Sequence, residues 1–286
     1  IEGVFHNLTI VKIKTEYEGH AQKVMNAMWG AGQMMFNKIL VITDKIDIHN
    51  YAHVADYVSK HVDPCNDIYF SAGPMDVLDH SCSKLGFGGK MCIDGTFKTE
   101  EEKDDLYIEL PVTKDIAVIE NTLKATYPEL AAVNTSLLKF NIPCLVVAIQ
   151  KNRLGHIASL HPQIAANPVV QGIKMILYVE HTVDPHDLPV ALWRFCNNLD
   201  PKRDFHLYKE NIQGRQGYTA CMGLDGTRKT KEFDQFQRDW PNIIVADEAT
   251  IASVDQKWVQ LGLGAFIPSP SLKFKGQIYG EEAIVS

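Results

Sequence analysis

No apolar run in the 286-residue chain reaches the roughly 20 residues that a membrane-spanning helix requires. No basic stretch leads into a short apolar segment, so no secretory signal is read. The six cysteines include no C-x-x-C pair, and a chain this long buries a core without covalent staples. Reduced thiols and a cytoplasmic location are therefore expected. Basic excess is also missing: 28 Lys and Arg stand against 35 Asp and Glu, a formal net charge of −7. A nucleic-acid binder needs a basic surface to displace counterions, and none is offered. Two glycosylation sequons, Asn7-Leu8-Thr9 and Asn134-Thr135-Ser136, lack the secretory route that would use them. The chain opens Ile1-Glu2-Gly3-Val4 without Met and reads as a piece cut from something longer.

What is present is ordinary globular material, with 45% hydrophobic and 22% charged residues, enough for about two domains. Leu8 to Ile13 alternates as a strand, and His20 to about Phe36 carries apolar residues at helical spacing. Lys38 to Thr43 reads as a strand buried on both faces. Ile48 to Val62 reads as a helix that stops at Asp63-Pro64, and Asp67 to Phe70 as the next strand. Strands alternating with helices imply a mainly parallel sheet covered on both faces.

The second half repeats the first. Ile39-Leu40 aligns with Ile176-Leu177, Asp47 with Asp184, His49 with His186, Asp63-Pro64 with Asp200-Pro201, and Asp67 with Asp204. Met91-x-x-Asp94-Gly95-Thr96-x-Lys98-Thr99 aligns with Met222-x-x-Asp225-Gly226-Thr227-x-Lys229-Thr230. A near-constant offset through strand, helix, turn and strand decides architecture. The expected fold is α/β: two tandem α/β/α units related by internal duplication, with mainly parallel or mixed sheets. The expected division is 1–130 for the first repeat and 131–286 for the second repeat plus closing helices. A linker from Thr99 to about Asn141 holds the acidic runs Glu100-Glu101-Glu102 and Asp104-Asp105 and a helix-like stretch, Ile116–Thr126.

Three glycine clusters, Gly30-Ala31-Gly32, Gly86-Phe87-Gly88-Gly89-Lys90 and Gly262-Leu263-Gly264, miss the G-x-G-x-x-G and phosphate-loop frames and read as turns. The histidines His49, His53, His61, His80, His181 and His186 form no paired-ligand pattern, so no metal site is expected. No G-x-S-x-G elbow occurs. The Asp-Gly-Thr-x-Lys repeat suits a tight turn tied to its own backbone. In Ala72 to His80, a segment that the second copy lacks, Asp76, Asp79 and His80 flank a Gly-Pro turn. Cleft lining and turn capping both account for them.

Five motifs follow one another in order: Tyr17-x-Gly19-His20-Ala21-x-x-Val24-Met25; Phe36-x-Lys38-x-Leu40-Val41-Ile42-x-Asp44; Asp63-Pro64-x-x-Asp67; Gly73-Pro74-Met75-Asp76-Val77-Leu78-Asp79-His80; and Lys90-Met91-x-Ile93-Asp94-Gly95-Thr96-x-Lys98. Together with Trp240-Pro241 and Trp258-x-x-Leu261-Gly262 near the end, the set resembles the C-terminal region of UbiD-like decarboxylases, which include the 3-octaprenyl-4-hydroxybenzoate carboxy-lyase of quinone biosynthesis. The resemblance implies a non-oxidative decarboxylase of aromatic or α,β-unsaturated acids that uses prenylated FMN with manganese and potassium. It places the family's catalytic Glu-Arg-Glu set and metal ligands upstream of this region. No catalytic residue, metal ligand or bound cofactor is therefore expected in this chain. The expected partners are the missing N-terminal part of the same enzyme and further copies of itself, with no nucleic acid and no membrane span. The expected substrate-pocket wall is Phe36, Asn37, Pro74, Met75, Asp76, Asp79 and His80. Association is expected to use Asp247–Leu263, where Ile251, Val254, Trp258 and Leu261 fall at helical spacing. Two other readings are a purely structural oligomerisation module and a free-standing nucleotide-binding oxidoreductase, the latter without its glycine fingerprint.

Overall fold

The computed structural model describes residues 8–31, 36–99, 101–103 and 106–285. Ile1 to Asn7, residues 32–35, Glu100, Asp104, Asp105 and Ser286 lie outside the described residues. The chain divides into two compact units, Ile1–Arg238 and Asp239–Ser286. Among the described residues no helix is long and apolar enough to cross a membrane.

The first unit holds two sheets. In the first sheet, β1 (Leu8–Ile13) and β2 (Lys38–Thr43) run parallel, a pairing that needs a crossover. That crossover includes α1 (His20–Gly30), shorter than its apolar spacing suggests. All of β2 is buried, as its continuous apolar run requires. Next, α2 (Tyr51–His61) is capped by Asn50, whose side chain accepts the His53 N–H. The antiparallel pair β3 (Ile68–Pro74) and β4 (Phe87–Gly95) completes the sheet in the order β1-β2-β4-β3.

The second sheet has the same plan. The stretch read as linker contributes α3 (Ile116–Thr126) and a strand the sequence did not announce, β5 (Leu130–Asn134). Ile119 and Leu123 of α3 are fully buried in the second sheet's core cluster, so apolar burial makes this stretch part of that sheet. Then come β6 (Cys144–Ile149), α4 (His156–Ala165), β7 (Met175–Glu180), α5 (Leu188–Asn198), a short α6 (Pro201–Asp204), β8 (Phe205–Asn211) and β9 (Tyr218–Asp225). The order is β5-β6-β7-β9-β8, with β6-β7-β9 parallel and β8 antiparallel. β6 starts 136 residues after β1 (8 and 144), while β7, α5 and β8 each start 137 after β2, α2 and β3. Connectivity, direction and spacing all match those expected of a duplication. A short α7 (Lys231–Asp234) lies near the end of this unit.

The repeated motif is a buried clamp. Asp94 Oδ1 accepts the Thr96 N–H at 2.9 Å and the Thr96 hydroxyl at 2.6 Å. Asp67 Oδ2 accepts the Asp63 N–H at 2.8 Å. Lys98 Nζ bridges the two carboxylates at 3.4 Å from Asp67 and 3.1 Å from Asp94. Asp225, Thr227, Asp204, Asp200 and Lys229 reproduce every contact. Burial opposes the charge on Asp225, but Lys229, Lys151 and the Thr227 hydrogen bonds outweigh it and hold this carboxyl well below the usual range.

The repeats meet by exchanging Asp-Pro turns. Asp200 accepts the Gly89 N–H of β4 at 3.1 Å, and Tyr218 of β9 donates its hydroxyl to Asp63 at 3.1 Å. The Phe70 and Phe205 rings, one from each repeat, pack against each other with centroids 4.8 Å apart. Gly88 and Gly89, read from sequence as a turn, lie instead inside β4. Their missing side chains are what lets Asp200 approach. A Cβ on Gly89 would overlap Asp200 Oδ1 and lie 2.6 Å from the Lys202 nitrogen. Gly89→Ala is expected to cost about 2–4 kcal/mol in chemical denaturation. Gly30→Ala, which meets nothing within 4 Å, is expected to be neutral or slightly stabilising.

His161 of α4 is fully buried, donating from Nε2 to the Cys221 carbonyl at 3.1 Å and accepting the Tyr178 hydroxyl at Nδ1, 3.0 Å away. Gly223 leaves room for the ring: a Cβ there would lie 2.5 Å from Nδ1. Burial lowers the His161 pKa to about 4. The folded value lies below the ordinary one, so the unfolded chain binds the proton more readily. Stability from this site is complete above about pH 6.5 and is lost as the pH falls toward about 4, worth roughly 3 kcal/mol. Denaturation of the wild type and of His161→Gln across that window should show the variant with the shallower slope.

In the second unit, β10 (Val245–Ala246) pairs in parallel with β11 (Ile284–Val285), and α8 (Glu248–Leu261) and α9 (Pro270–Phe274) lie between them in sequence. Asp247 caps α8 by accepting the Thr250 N–H, and Gly262 ends it at φ 63°. No residue of α8 is buried.

Candidate functional site

The residues expected at the pocket wall form a buried polar core beneath an exposed loop. Asn37 is fully buried just ahead of β2; its amide donates to Asp79 Oδ2 at 3.0 Å and its carbonyl accepts from Lys38 Nζ at 3.0 Å. The other Asp79 oxygen accepts the Ser81 N–H at 2.8 Å and hydroxyl at 2.6 Å. Asp76 caps the turn by accepting the Leu78 N–H at 2.8 Å. Met75 is buried, and its N–H is bonded to the Gly86 carbonyl. Pro74 is exposed at the end of β3. His80 reaches into the second repeat, its Nε2 lying 3.1 Å from Asn198 Oδ1. Phe36 stands apart: it packs against the cluster of Ala21, Ile39, Val41 and Cys92, and its carbonyl accepts from Trp29.

Asp76 and Asp79 each cap a local turn, and Asp79 also organises the buried core. Residues outside the expected set complete it. Arg203 Nη1 donates to the Ser81 carbonyl at 2.8 Å, and Arg238 Nη1 donates to the Cys82 carbonyl at 2.7 Å. Lys38 is the group most easily overlooked, a charge at the head of a wholly buried strand. Burial lowers its pKa, opposed by Asp79, Cys196 and Asp200. Burial, with Asp79 and Asp200 adding to it, pushes the Cys82 thiol up to about 12, so it carries no thiolate at neutral pH. The outer face of the loop is apolar, with Val77 67% and Leu78 76% exposed.

The direction of β3 sets where this loop lies. Ligand crevices of α/β sheets form at the carboxyl ends of parallel strands. Because β3 runs antiparallel to β4, its carboxyl end sits beside the amino end of that parallel strand. The carboxyl end of β4 leads instead to a cavity of about 550 Å³ lined by Lys60, Asp63, Asp67, Thr96, Lys98 and Tyr107 among others. A cavity of about 310 Å³ in the second repeat uses the matching clamp residues Asp204, Asp225 and Lys229. Neither is lined by the Pro74–His80 loop. Among the described residues, no group of three or more His, Cys, Asp or Glu side chains converges as a metal ion requires.

Asp79→Ala would strand the Asn37 and Ser81 donors and leave Lys38 without its main counter-charge. It is expected to cost about 3–5 kcal/mol, whereas the double variant Asp79→Leu/Lys38→Met, which removes both buried charges and keeps the volume, should cost clearly less than the single one. Urea midpoints of the two variants provide the comparison.

The family model of the 3-octaprenyl-4-hydroxybenzoate carboxy-lyase C-terminal domain matches residues 1–95 and 114–225. An uncharacterized protein of Helicobacter pylori strain J99 is 30% identical over 245 residues, which cover 84% of this chain and 36% of that protein. An uncharacterized protein of Aquifex aeolicus strain VF5 is 46% identical over 102 residues, 35% of this chain and 21% of that protein. This chain therefore spans only about a third or less of the length of these relatives. Among solved structures, the open form of vanillic acid decarboxylase from Sedimentibacter hydroxybenzoicus is similar at TM-score 0.38 and 14% identity, over 64% of this chain and 40% of that one. An evolved dimeric form of the UbiD-class enzyme HmfF from Pelotomaculum thermopropionicum, in complex with prFMN, is similar at TM-score 0.33 and 21% identity, over 44% and 26%.

Proposed function

The chain belongs to the family of 3-octaprenyl-4-hydroxybenzoate carboxy-lyase C-terminal domains, and on that premise we propose that it is the C-terminal part of a non-oxidative decarboxylase of aromatic or α,β-unsaturated acids. The 3-octaprenyl-4-hydroxybenzoate reaction of quinone biosynthesis is the specific candidate. Within the parent enzyme this region serves assembly and forms one wall of the active site; alone, it turns over no acid.

The parent's cofactor is prenylated FMN with manganese and potassium, and the cofactor, acting as electron sink, carries the difficult chemistry. The described residues of this chain do not fit the metal, since no ligand group converges among them. Its binding falls to the rest of the polypeptide. This chain's own task is to exclude water and shape the cavity. The observation that carries this reading is the buried Asn37–Lys38–Asp79–Ser81 network behind a loop whose outer face is apolar. A rigid polar base holding Pro74, Val77 and Leu78 outward suits a wall that meets an aromatic or prenylated acid. Association draws on the second unit, where Val259, Leu261 and Leu263 stay 50–90% exposed at the end of α8.

The test uses the full-length, cofactor-loaded enzyme carrying Leu78→Ala. The kcat/KM ratio between bulky and small acids should shift by roughly tenfold or more, while Leu154→Ala, on the second repeat, leaves it unchanged. An unaltered ratio in a folded, loaded Leu78 variant would reduce the loop to a structural turn. Mass photometry of the wild type reads the association part directly, and a monomer would remove it.

A further inference from the structure

The two repeats match element for element except at one edge. In the second, β5 pairs antiparallel with β6, and α3 buries Ile119 and Leu123 in the same core. In the first, β1 stands where β6 stands, and among the described residues its only partner is β2. The consequence is visible in burial. Val147 and Ile149 of β6, and Leu160 and Ile164 of α4, are at most 1% exposed. Their counterparts 136 residues earlier, Val11, Ile13, Val24 and Met28, are all only partly buried.

An open edge is a template for another strand, and proteins commonly blunt it with proline, a bulge or inward charge. β1 has neither proline nor bulge: its register with β2 is unbroken from Leu8 to Ile13. Its one charge, Lys12, is exposed and alternates with the apolar Val11 and Ile13. The repeat spacing says where the covering strand would come from. β5 ends ten residues before β6 begins (134 and 144), and ten residues before Leu8 falls upstream of residue 1. The family match to the second repeat likewise starts at residue 114, just ahead of α3, so helix and strand lie inside the matched region. The longer relatives, of which this chain spans 36% in the Helicobacter pylori case, have ample sequence to supply both.

We propose that in the full-length polypeptide the outer edge of β1 is paired, antiparallel, by a strand from just upstream of residue 1, and that an amphipathic helix ahead of it covers Val11, Ile13, Val24 and Met28. The occupant is a segment of the same chain. The inference rests on repeat topology and stands whether or not the decarboxylase reading does.

Residue-resolved amide exchange on the full-length polypeptide tests it. A strand hydrogen-bonded on one side shows alternating fast and slow amides, and one bonded on both sides shows none of that alternation. All amides from Leu8 to Ile13 are expected to be slow, the outward ones by roughly a hundredfold or more over the unstructured rate. A proline at the centre of the upstream strand should release the outward amides and leave those bonded to β2 slow. Fast outward amides in the wild type would overturn the proposal. So would protection that fades on dilution, which would assign the edge to a second copy, or protection that survives in a folded proline variant. Should that variant not fold, the alternation pattern and its concentration dependence in the wild type still decide.

Discussion

The close approach of the Asp200 carboxylate to the backbone of β4 is the contact on which the first unit depends. Two sheets of equal plan bury large surfaces only if they share a joint, and this one is made of exchanged turns. Each Asp-Pro turn reaches the last strand in sequence of the other repeat, Asp200 at Gly89 and Asp63 at Tyr218. Carboxylates accepting N–H and O–H donors in a dry setting form strong, directional bonds. The requirement placed on the partner is space. Two consecutive glycines inside a strand are unfavourable for that strand, and here the penalty is offset by the approach they permit.

Behind each turn, the same aspartate motif works a second time. Asp67 and Asp204 close the turn by accepting the N–H of Asp63 and Asp200, and the clamp lysines Lys98 and Lys229 tie them to the end of the neighbouring strand. A lysine enclosed by two carboxylates and two carbonyls satisfies charge and hydrogen bonding together, which makes so much buried charge tolerable. The Asp-Gly-Thr-x-Lys repeat is therefore part of the folding machinery. The loop from Met75 to Gly86 is where the two repeats part company. The second repeat closes the matching hairpin in six residues, 212–217, whereas the first builds a polar core around Asp79 and keeps an apolar outer face. The two matching frames thus differ chiefly in one loop, the part of a fold that can vary without disturbing the elements it connects.

The limits of sequence reading show in particular residues. The alternation of Leu8–Ile13, the buried run of Lys38–Thr43 and the constant offset of 136 to 137 residues made both sheets legible, because period and burial are written in residue type. β5 leaves little trace in the sequence, since five residues within a linker-like stretch carry too little pattern, and only its pairing with β6 gives it meaning. Gly88 and Gly89 read as a turn because glycine signals conformational freedom and absence of bulk alike; the approach of Asp200, 111 residues away, shows that absence of bulk applies. The direction of β3 was equally hidden, and with it the end of the sheet at which the Pro74–His80 loop lies.

By itself the sequence determined that there would be two copies of one α/β unit, where most strands and helices run, and which ordered motifs tie the chain to its family. These follow from local chemistry: hydrophobic period, proline and glycine punctuation, and repeated spacing. Tertiary structure alone decided which polar groups share a site. Asn37 and Asp79 are 42 residues apart and His80 and Asn198 are 118 apart, and no periodicity links residues at such distances. Only the sheet order and the joint between repeats bring them within hydrogen-bonding range. The physical reason is that a side chain's neighbours across a core are fixed by packing, which sums over the whole fold, while a side chain's own conformational preference is fixed within a few residues.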